Sequence, residues 1–166
     1  HSYFLGTRMN QGGYAQLKFQ IDQLIQQAKE KDIPTLYVDG GDFGEGSSFY
    51  FSNKGQDSFR ALDLLGVDVT VLGNHDYMFG NRELKKQILE SGVQTKIISA
   101  NLRGRALTGL KKLIPKHVDF YFDDIKVRVF GLTTSELHFM YPLRPASYIG
   151  SVIKTGLREE KKAYKN

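Results

Sequence analysis

Cysteine is absent from this sequence, which excludes disulfides and thiolate metal ligands. The absence fits an exported protein as well as a cytosolic one. No apolar run approaches the roughly 20 residues that a membrane-spanning helix needs. The first residues are polar and lack the apolar stretch of a secretory signal peptide. We therefore expect neither a membrane span nor a signal peptide within this sequence.

Positive side chains outnumber negative ones by 23 to 18, which gives a net charge of +5. Such a balance suits phosphate-bearing ligands, although a solvated helix face near the C-terminus is the simpler explanation of part of the excess. No run of lysine and arginine is interleaved with aromatics, so we do not expect a nucleic-acid partner. The chain has 166 residues, of which 40% are hydrophobic and 25% charged. That length and composition are typical of one globular domain.

The first hundred residues alternate between helical and strand patterns. Apolar residues at a spacing of three to four predict three helices, spanning Tyr14 to Lys31, Gln56 to Leu65, and Asn81 to Ser91. Short apolar segments predict three strands, spanning Thr35 to Val38, Asp68 to Leu72, and Lys96 to Ala100. This β-α-β-α-β order is typical of an α/β fold with a parallel sheet and right-handed crossovers.

After Asn101 the pattern changes. Two alternating segments, His117 to Phe122 and Ile125 to Leu132, predict a hairpin that turns at Asp123 and Asp124. A final helix is expected from about Val152 to Tyr164. The stretch from Arg103 to Pro115 shows the least pattern, and we interpret it as a connection across the face of the sheet.

Two motifs follow successive predicted strands. The first is Val38-Asp39-Gly40-Gly41-Asp42, and the second is Val71-Leu72-Gly73-Asn74-His75-Asp76. Open α/β sheets gather ligands at the carboxyl ends of their strands, and hard divalent metals prefer oxygen ligands with imidazole completing the shell. An aspartate in a glycine-rich turn, taken alone, more often makes only local hydrogen bonds. Because a second motif directly follows the next predicted strand, the two motifs together favour a metal site over local hydrogen bonding.

Together these motifs resemble the GD…GNH[DE] core of the calcineurin-like metallophosphoesterases. The segment Ile98-Ser99-Ala100-Asn101-Leu102 resembles the "SAN" segment of their 5'-nucleotidase branch, and Gly46-Ser47-Ser48 resembles the small hydroxylated stretch that follows GD. The resemblance implies part of a metallophosphoesterase sandwich. Its parallel β-α-β-α-β core is followed by a β-hairpin, and helices pack on the sheet.

The resemblance also implies a role for each site residue. Asp42 would bridge two divalent metal ions (Mn, Zn, Fe, Mg or Ca), and Asn74 would bind the second of them. His75 would not bind metal but would donate a hydrogen bond to the phosphate or the leaving oxygen. Many relatives carry an acid three residues after this histidine, where this sequence has Met78. We therefore include Asp76 among the candidate catalytic residues, as one group that could orient His75.

A further metal ligand is expected at His1. Relatives begin with a strand ending in D-x-H, and His1 stands where that histidine is expected, ahead of Gly12 and Gly13. A remnant of an expression tag is the alternative explanation. Of the remaining histidines, we interpret His117 as structural and His138 as an exposed loop residue.

The G-H-x-H motif that completes the family's binuclear site does not occur after Asn101. The family's nucleoside-binding C-terminal domain has no counterpart in the sequence either. We therefore predict that residues 1–166 are the N-terminal portion of a catalytic domain, weakly active or inactive alone. The resemblance implies a parent enzyme, exported or periplasmic, that hydrolyses small phosphomonoesters, foremost nucleotides. A phosphodiesterase or nuclease of the same fold, and a non-catalytic scaffold that has lost the site, are the alternatives.

Overall fold

The computed structural model describes residues 13–44, 50–51, 53–104, 108–135 and 147–164. The helices are α1 (Tyr14–Lys29), α2 (Gln56–Leu65), α3 (Gly80–Ser91), α4 (Thr108–Leu113) and α5 (Val152–Ala163). The strands are β1 (Val38–Asp39), β2 (Val69–Val71), β3 (Lys96–Ile98), β4 (Leu102–Gly104), β5 (His117–Phe122), β6 (Ile125–Phe130) and β7 (Ser147–Ile149). The predicted α/β class is confirmed.

Three parallel strands form the sheet that positions the site, in the order β1-β2-β3. Val38 pairs with Val69, and Val71 pairs with Ile98. The first strand was predicted too early in the chain. Its ladder begins at Val38, and just ahead of it the amide of Tyr37 donates to the side chain of Asp68 at 2.8 Å.

The main core lies between this sheet and the helices α2 and α3. Helix α2 has the predicted bounds, and Gly55 and Gly66 flank it with positive φ. Its buried face carries Phe59, Leu62 and Leu65, as its periodicity predicts. Helix α1 differs, because none of its residues is buried and only Ile21 packs against the core.

Beyond β3 the structure corrects one expectation and confirms another. The stretch from Arg103 to Pro115 contains the end of β4, which pairs with β7, and the short helix α4. Strand β7, the partner of β4, comes much later in the chain, so the sequence carries no local signal of this pairing. The hairpin of β5 and β6 is confirmed, with Phe122 opposite Ile125 at the turn. Among the described residues, no helix has the length and apolar character to cross a bilayer.

Candidate metal and phosphate site

The two motifs form adjacent turns at the carboxyl ends of β1 and β2. Their backbones approach so closely that glycine is required on both sides. A Cβ on Gly41, whose φ is +77°, would lie 2.2 Å from the carbonyl oxygen of Val71. A Cβ on Gly73 would lie 2.6 Å from the Cβ of Asp42. The glycines of the motifs therefore serve to interlock the turns.

Asp42 occupies the centre of this junction. Its φ of 65° lies in the left-handed region, which is uncommon for a residue with a side chain and is often found at functional sites. One carboxylate oxygen, Oδ1, accepts the backbone amide of His75 at 2.9 Å. The other oxygen, Oδ2, lies 4.0 Å from Nε2 of the same histidine, and the Asp42 side chain is 45% exposed. The junction thus presents an accessible carboxylate beside an imidazole.

The side chain of Asp76 connects the two turns by hydrogen bonds. Its side chain is buried, and Oδ2 accepts the amide of Asp42 at 3.0 Å and the amide of Gly73 at 2.8 Å. Burial raises the pKa of Asp76 to about 7, while hydrogen bonds from the amides of Gly73 and Asp42 oppose the shift. These contacts are to backbone amides of the turns. The catalytic role that the sequence suggests for Asp76 stays a prediction.

Asn74 and His75 begin a single turn of 3₁₀ helix, which spans His75–Tyr77. The backbone carbonyl of Asn74 accepts the amide of Tyr77 at 3.2 Å, and that of His75 accepts the amide of Met78 at 3.0 Å. The side chain of His75 is 25% exposed. The turn therefore places Asn74 and His75 beside Asp42, whereas metal binding by the Asn74 carboxamide stays a prediction.

The donors gathered here fit part of a metal shell. The Asp42 carboxylate and the Asn74 carboxamide are oxygen donors of the kind that hard divalent ions prefer. Within the part of the chain that the structure describes, no cluster of three or more His, Cys, Asp or Glu side chains is placed to hold a metal ion. His117 lies in the hairpin, opposite Phe130. Outside the described residues lie His1, His138 and the segment Gly46-Ser47-Ser48.

A buried polar cluster beside the site was only partly foreseen. The resemblance singled out Ser99 and Asn101, but not Thr133, whose hydroxyl lies 2.9 Å from that of Ser99, nor Tyr77, which is fully buried. Neither missed residue belongs to a charged or glycine-rich motif. The sequence analysis did not single out Thr133, whose one available signal is a hydroxyl residue directly after the strand predicted to end at Leu132.

Comparison with known proteins gives consistent likenesses. The chain is 27% identical over 136 residues to Protein UshA of Salmonella pullorum, covering 82% of this chain and 24% of that protein. It is 32% identical over 121 residues to the 5'-nucleotidase of Rattus norvegicus, covering 70% of this chain and 20% of that protein. The structure of a 5'-nucleotidase precursor from Thermus thermophilus superimposes with a TM-score of 0.82 at 21% identity, covering 93% of this chain and 29% of that chain.

At 21% identity, the likeness to the Thermus thermophilus structure shows the fold alone. That fold agrees with the α/β architecture predicted from the sequence. No protein-family model matches the chain. The chain spans about a quarter of the length of the UshA protein that it matches (24%).

Proposed function

Since the chain belongs to the 5'-nucleotidase branch of the calcineurin-like metallophosphoesterases, we propose that its paired turns form part of a metal-dependent site for phosphate esters. The reaction is hydrolysis of a phosphomonoester, and the names of the relatives point to nucleotides as substrates. In the same proposal the parent protein acts outside the cytoplasm, as the family resemblance implies.

The observation that carries the proposal is the conformation and surroundings of Asp42. An exposed carboxylate is held with φ 65°, and its backbone amide is fixed by the buried Asp76. This arrangement costs conformational energy. A bound cation offsets that cost by pairing with the carboxylate.

Each residue has a distinct part in the proposal. Asp42 and Asn74 would hold metal, which when bound would supply polarisation of a phosphoryl oxygen and a lowered pKa of water. His75 donates a hydrogen bond to the phosphoryl group or the leaving oxygen, where preorganised donors contribute roughly 10²–10³-fold to the rate. Asp76 acts by positioning, because its contacts hold the turns that carry the other three.

One observation favours the scaffold alternative as a second candidate. The described residues do not supply three His, Cys, Asp or Glu ligands in one cluster, and metal affinity rises steeply with the number of ligands. A scaffold would keep the interlocked turns and bind no metal. Metal binding itself therefore separates the two functions.

The test is a calorimetric titration with Mn²⁺ that compares wild type with Asp42→Asn. Asparagine tolerates the left-handed conformation, so this variant removes the charge without adding strain. Asp123→Asn is the matched control, since Asp123 is exposed and also has a positive φ of 49°. We expect Mn²⁺ binding by wild type and by the control, with binding lost in Asp42→Asn. Equal binding by all three proteins would contradict the metal role of Asp42.

A second comparison separates metal binding from charge stabilisation. In the full-length parent enzyme, His75→Ala should lower kcat by roughly 10²–10³-fold with little loss of metal. Asp42→Asn should lose metal and activity together. Metal content and steady-state kinetics are measured on the same preparations. A His75→Ala protein that loses its metal, with the loaded fraction fully active, would identify the imidazole as a ligand.

A further inference from the structure

Asp39, the last residue of β1, accepts two hydrogen bonds on one carboxylate oxygen. Its Oδ1 accepts the backbone amide of Gly41 at 2.8 Å and the hydroxyl of Thr70 at 2.7 Å. Thr70 is buried and pairs with Asp39 across β1 and β2. The first bond alone is a local turn of the kind that aspartate often makes. The second bond attaches that turn to the neighbouring strand.

The turn that Asp39 holds leads directly into the candidate metal ligand. Gly41 and Asp42 both lie in the left-handed region, with φ of 77° and 65°. The amide of Gly41 is bound by Asp39, and the amide of Asp42 is bound by Asp76 at 3.0 Å. The peptide units on both sides of Gly41 are therefore each held by a carboxylate. Their orientation sets the direction in which the Asp42 side chain leaves the backbone.

Asp39 and Asp76 hold the first turn in different ways. Asp76 joins it to the second turn, because its Oδ2 also accepts the amide of Gly73. Asp39 joins it to the sheet, because Thr70 is a paired residue of β2. The two acids are thus separate anchors of the segment that carries Asp42.

We propose that Asp39 is a positioning residue of the candidate site, which orients the Asp42 carboxylate through the amide of Gly41 without contacting the metal. The inference rests on the proposed metal-dependent function for its effect on metal binding, whereas its effect on the turn can be measured without metal. Substitution of outer groups that orient metal ligands typically lowers metal affinity by about 10–100-fold. We expect a loss in that range when the Asp39 carboxylate is removed.

Two variants of Asp39 separate positioning from charge. Asp39→Ala removes both hydrogen bonds, whereas Asp39→Asn removes the negative charge and keeps a carbonyl oxygen that can accept both. The matched control is Asp63→Ala. Oδ1 of Asp63 also accepts a backbone amide at 2.8 Å and a buried hydroxyl at 2.7 Å, both from Thr95. Thr95 stands at the amino end of β3, at the opposite edge of the parallel sheet from the candidate site.

The readouts are Mn²⁺ affinity by calorimetry and hydrogen exchange of the Asp42 and His75 amides by NMR. Neither amide bonds to Asp39, since they donate to Asp76 and Asp42. We expect Asp39→Ala to weaken Mn²⁺ binding by about 10–100-fold and to speed exchange at both amides. Asp39→Asn should stay close to wild type in both readouts. Asp63→Ala should lower the melting temperature and leave both readouts at the wild-type level.

Three results would overturn the inference. Equal losses in Asp39→Asn and Asp39→Ala would show that the charge matters rather than the hydrogen bonds. Wild-type behaviour of Asp39→Ala would show that the turn needs no anchor on the sheet. A matching loss in Asp63→Ala would trace the effect to general destabilisation.

The threonine partners decide the question if Asp39→Ala does not fold. Thr70→Val removes the hydroxyl that meets Asp39, and Thr95→Val removes the one that meets Asp63. Faster exchange of the Asp42 amide in Thr70→Val alone is expected, and equal rates in the two variants would refute the anchor. If wild type itself binds no Mn²⁺, the proposed function fails, and the exchange rates still decide whether Asp39 positions the turn.

Discussion

Among single residues, Asp76 makes the most direct prediction about pH. Its pKa is raised to about 7, against roughly 3.9 in an unfolded chain. The folded state therefore binds a proton that the unfolded state releases. The stability that this proton contributes is full below about pH 4, falls as the pH rises, and is gone above about pH 7. The expected slope in that window is about 1.4 kcal/mol per pH unit.

Asp76→Asn removes the titrating group while keeping one acceptor oxygen, so the wild-type slope between pH 4 and pH 7 should be largely absent from the variant. The measurement is urea unfolding at each pH in the presence of a chelator. Asp123→Asn, at the exposed hairpin turn, is the control and should follow wild type. A variant with the same slope as wild type would show that Asp76 titrates normally.

A second prediction at this scale concerns Gly41 and Gly66. Both have positive φ, +77° and +81°, but a Cβ on Gly41 would strike the carbonyl of Val71 whereas one on Gly66 would meet nothing within 4 Å. Gly66→Ala should cost about 1–2 kcal/mol, the penalty of the left-handed conformation. Gly41→Ala should cost clearly more, because β1 and β2 must separate. Chemical denaturation of both variants tests this, and equal losses would mean that the turns are not interlocked.

Among the elements, the hairpin carries an acid-sensitive ion pair. Two hydrogen bonds from Arg128, at 2.6 and 2.7 Å, reach the carboxylate of Asp119. They lower the pKa of Asp119 well below its usual range, with Lys126 contributing in the same direction. The contribution of this pair to stability is present above about pH 4, the unfolded pKa of an aspartate. It is lost as the pH falls toward the folded value.

Asp119→Asn should therefore destabilise the protein at pH 6 and lose that difference progressively below pH 4. Thermal unfolding followed by circular dichroism between pH 2 and pH 6 gives the comparison. Asp124→Asn, at the turn of the same hairpin, serves as control. A deficit of Asp119→Asn that stays constant down to pH 2 would argue against the ion pair.

The elements also show how far the sequence alone could lead. Helix α2 has the predicted bounds because its periodic apolar face ends at Gly66, a local signal. Strand β4 was missed because its partner β7 is distant in the chain and each is only three residues long. The site divides in the same way. The glycines and acids of both turns are local motifs, whereas the bond from the Asp42 amide to Asp76 joins residues 34 positions apart and exists only once the sheet has formed.

At the scale of the whole molecule, part of the surface of the described residues is apolar. Helix α5 buries Thr155 and Glu159, yet Ile153 is 75% exposed and Leu157 is 53% exposed. Surfaces of this kind bind apolar probes.

Ile153→Lys should therefore reduce binding of the dye anilinonaphthalene sulfonate without lowering the free energy of unfolding. Glu160→Gln changes the net charge by the same amount and leaves the apolar surface intact, so its dye fluorescence should match wild type. Fluorescence titration at equal protein concentration provides the measurement. Unchanged dye binding by Ile153→Lys would show that α5 does not contribute to the apolar surface.

The buried side chain of Asn101 also has a consequence for the order of events during synthesis. The carboxamide of this residue waits for Thr133, 32 positions later, and Gly150, 49 positions later. At roughly 5–20 residues per second, the ribosome needs about 2–10 s to supply the last partner. During that interval the carboxamide must stay hydrated, although the residues of both turns have already been synthesised. A nascent chain can thus contain both halves of the site some seconds before Asn101 has its full set of hydrogen-bond partners.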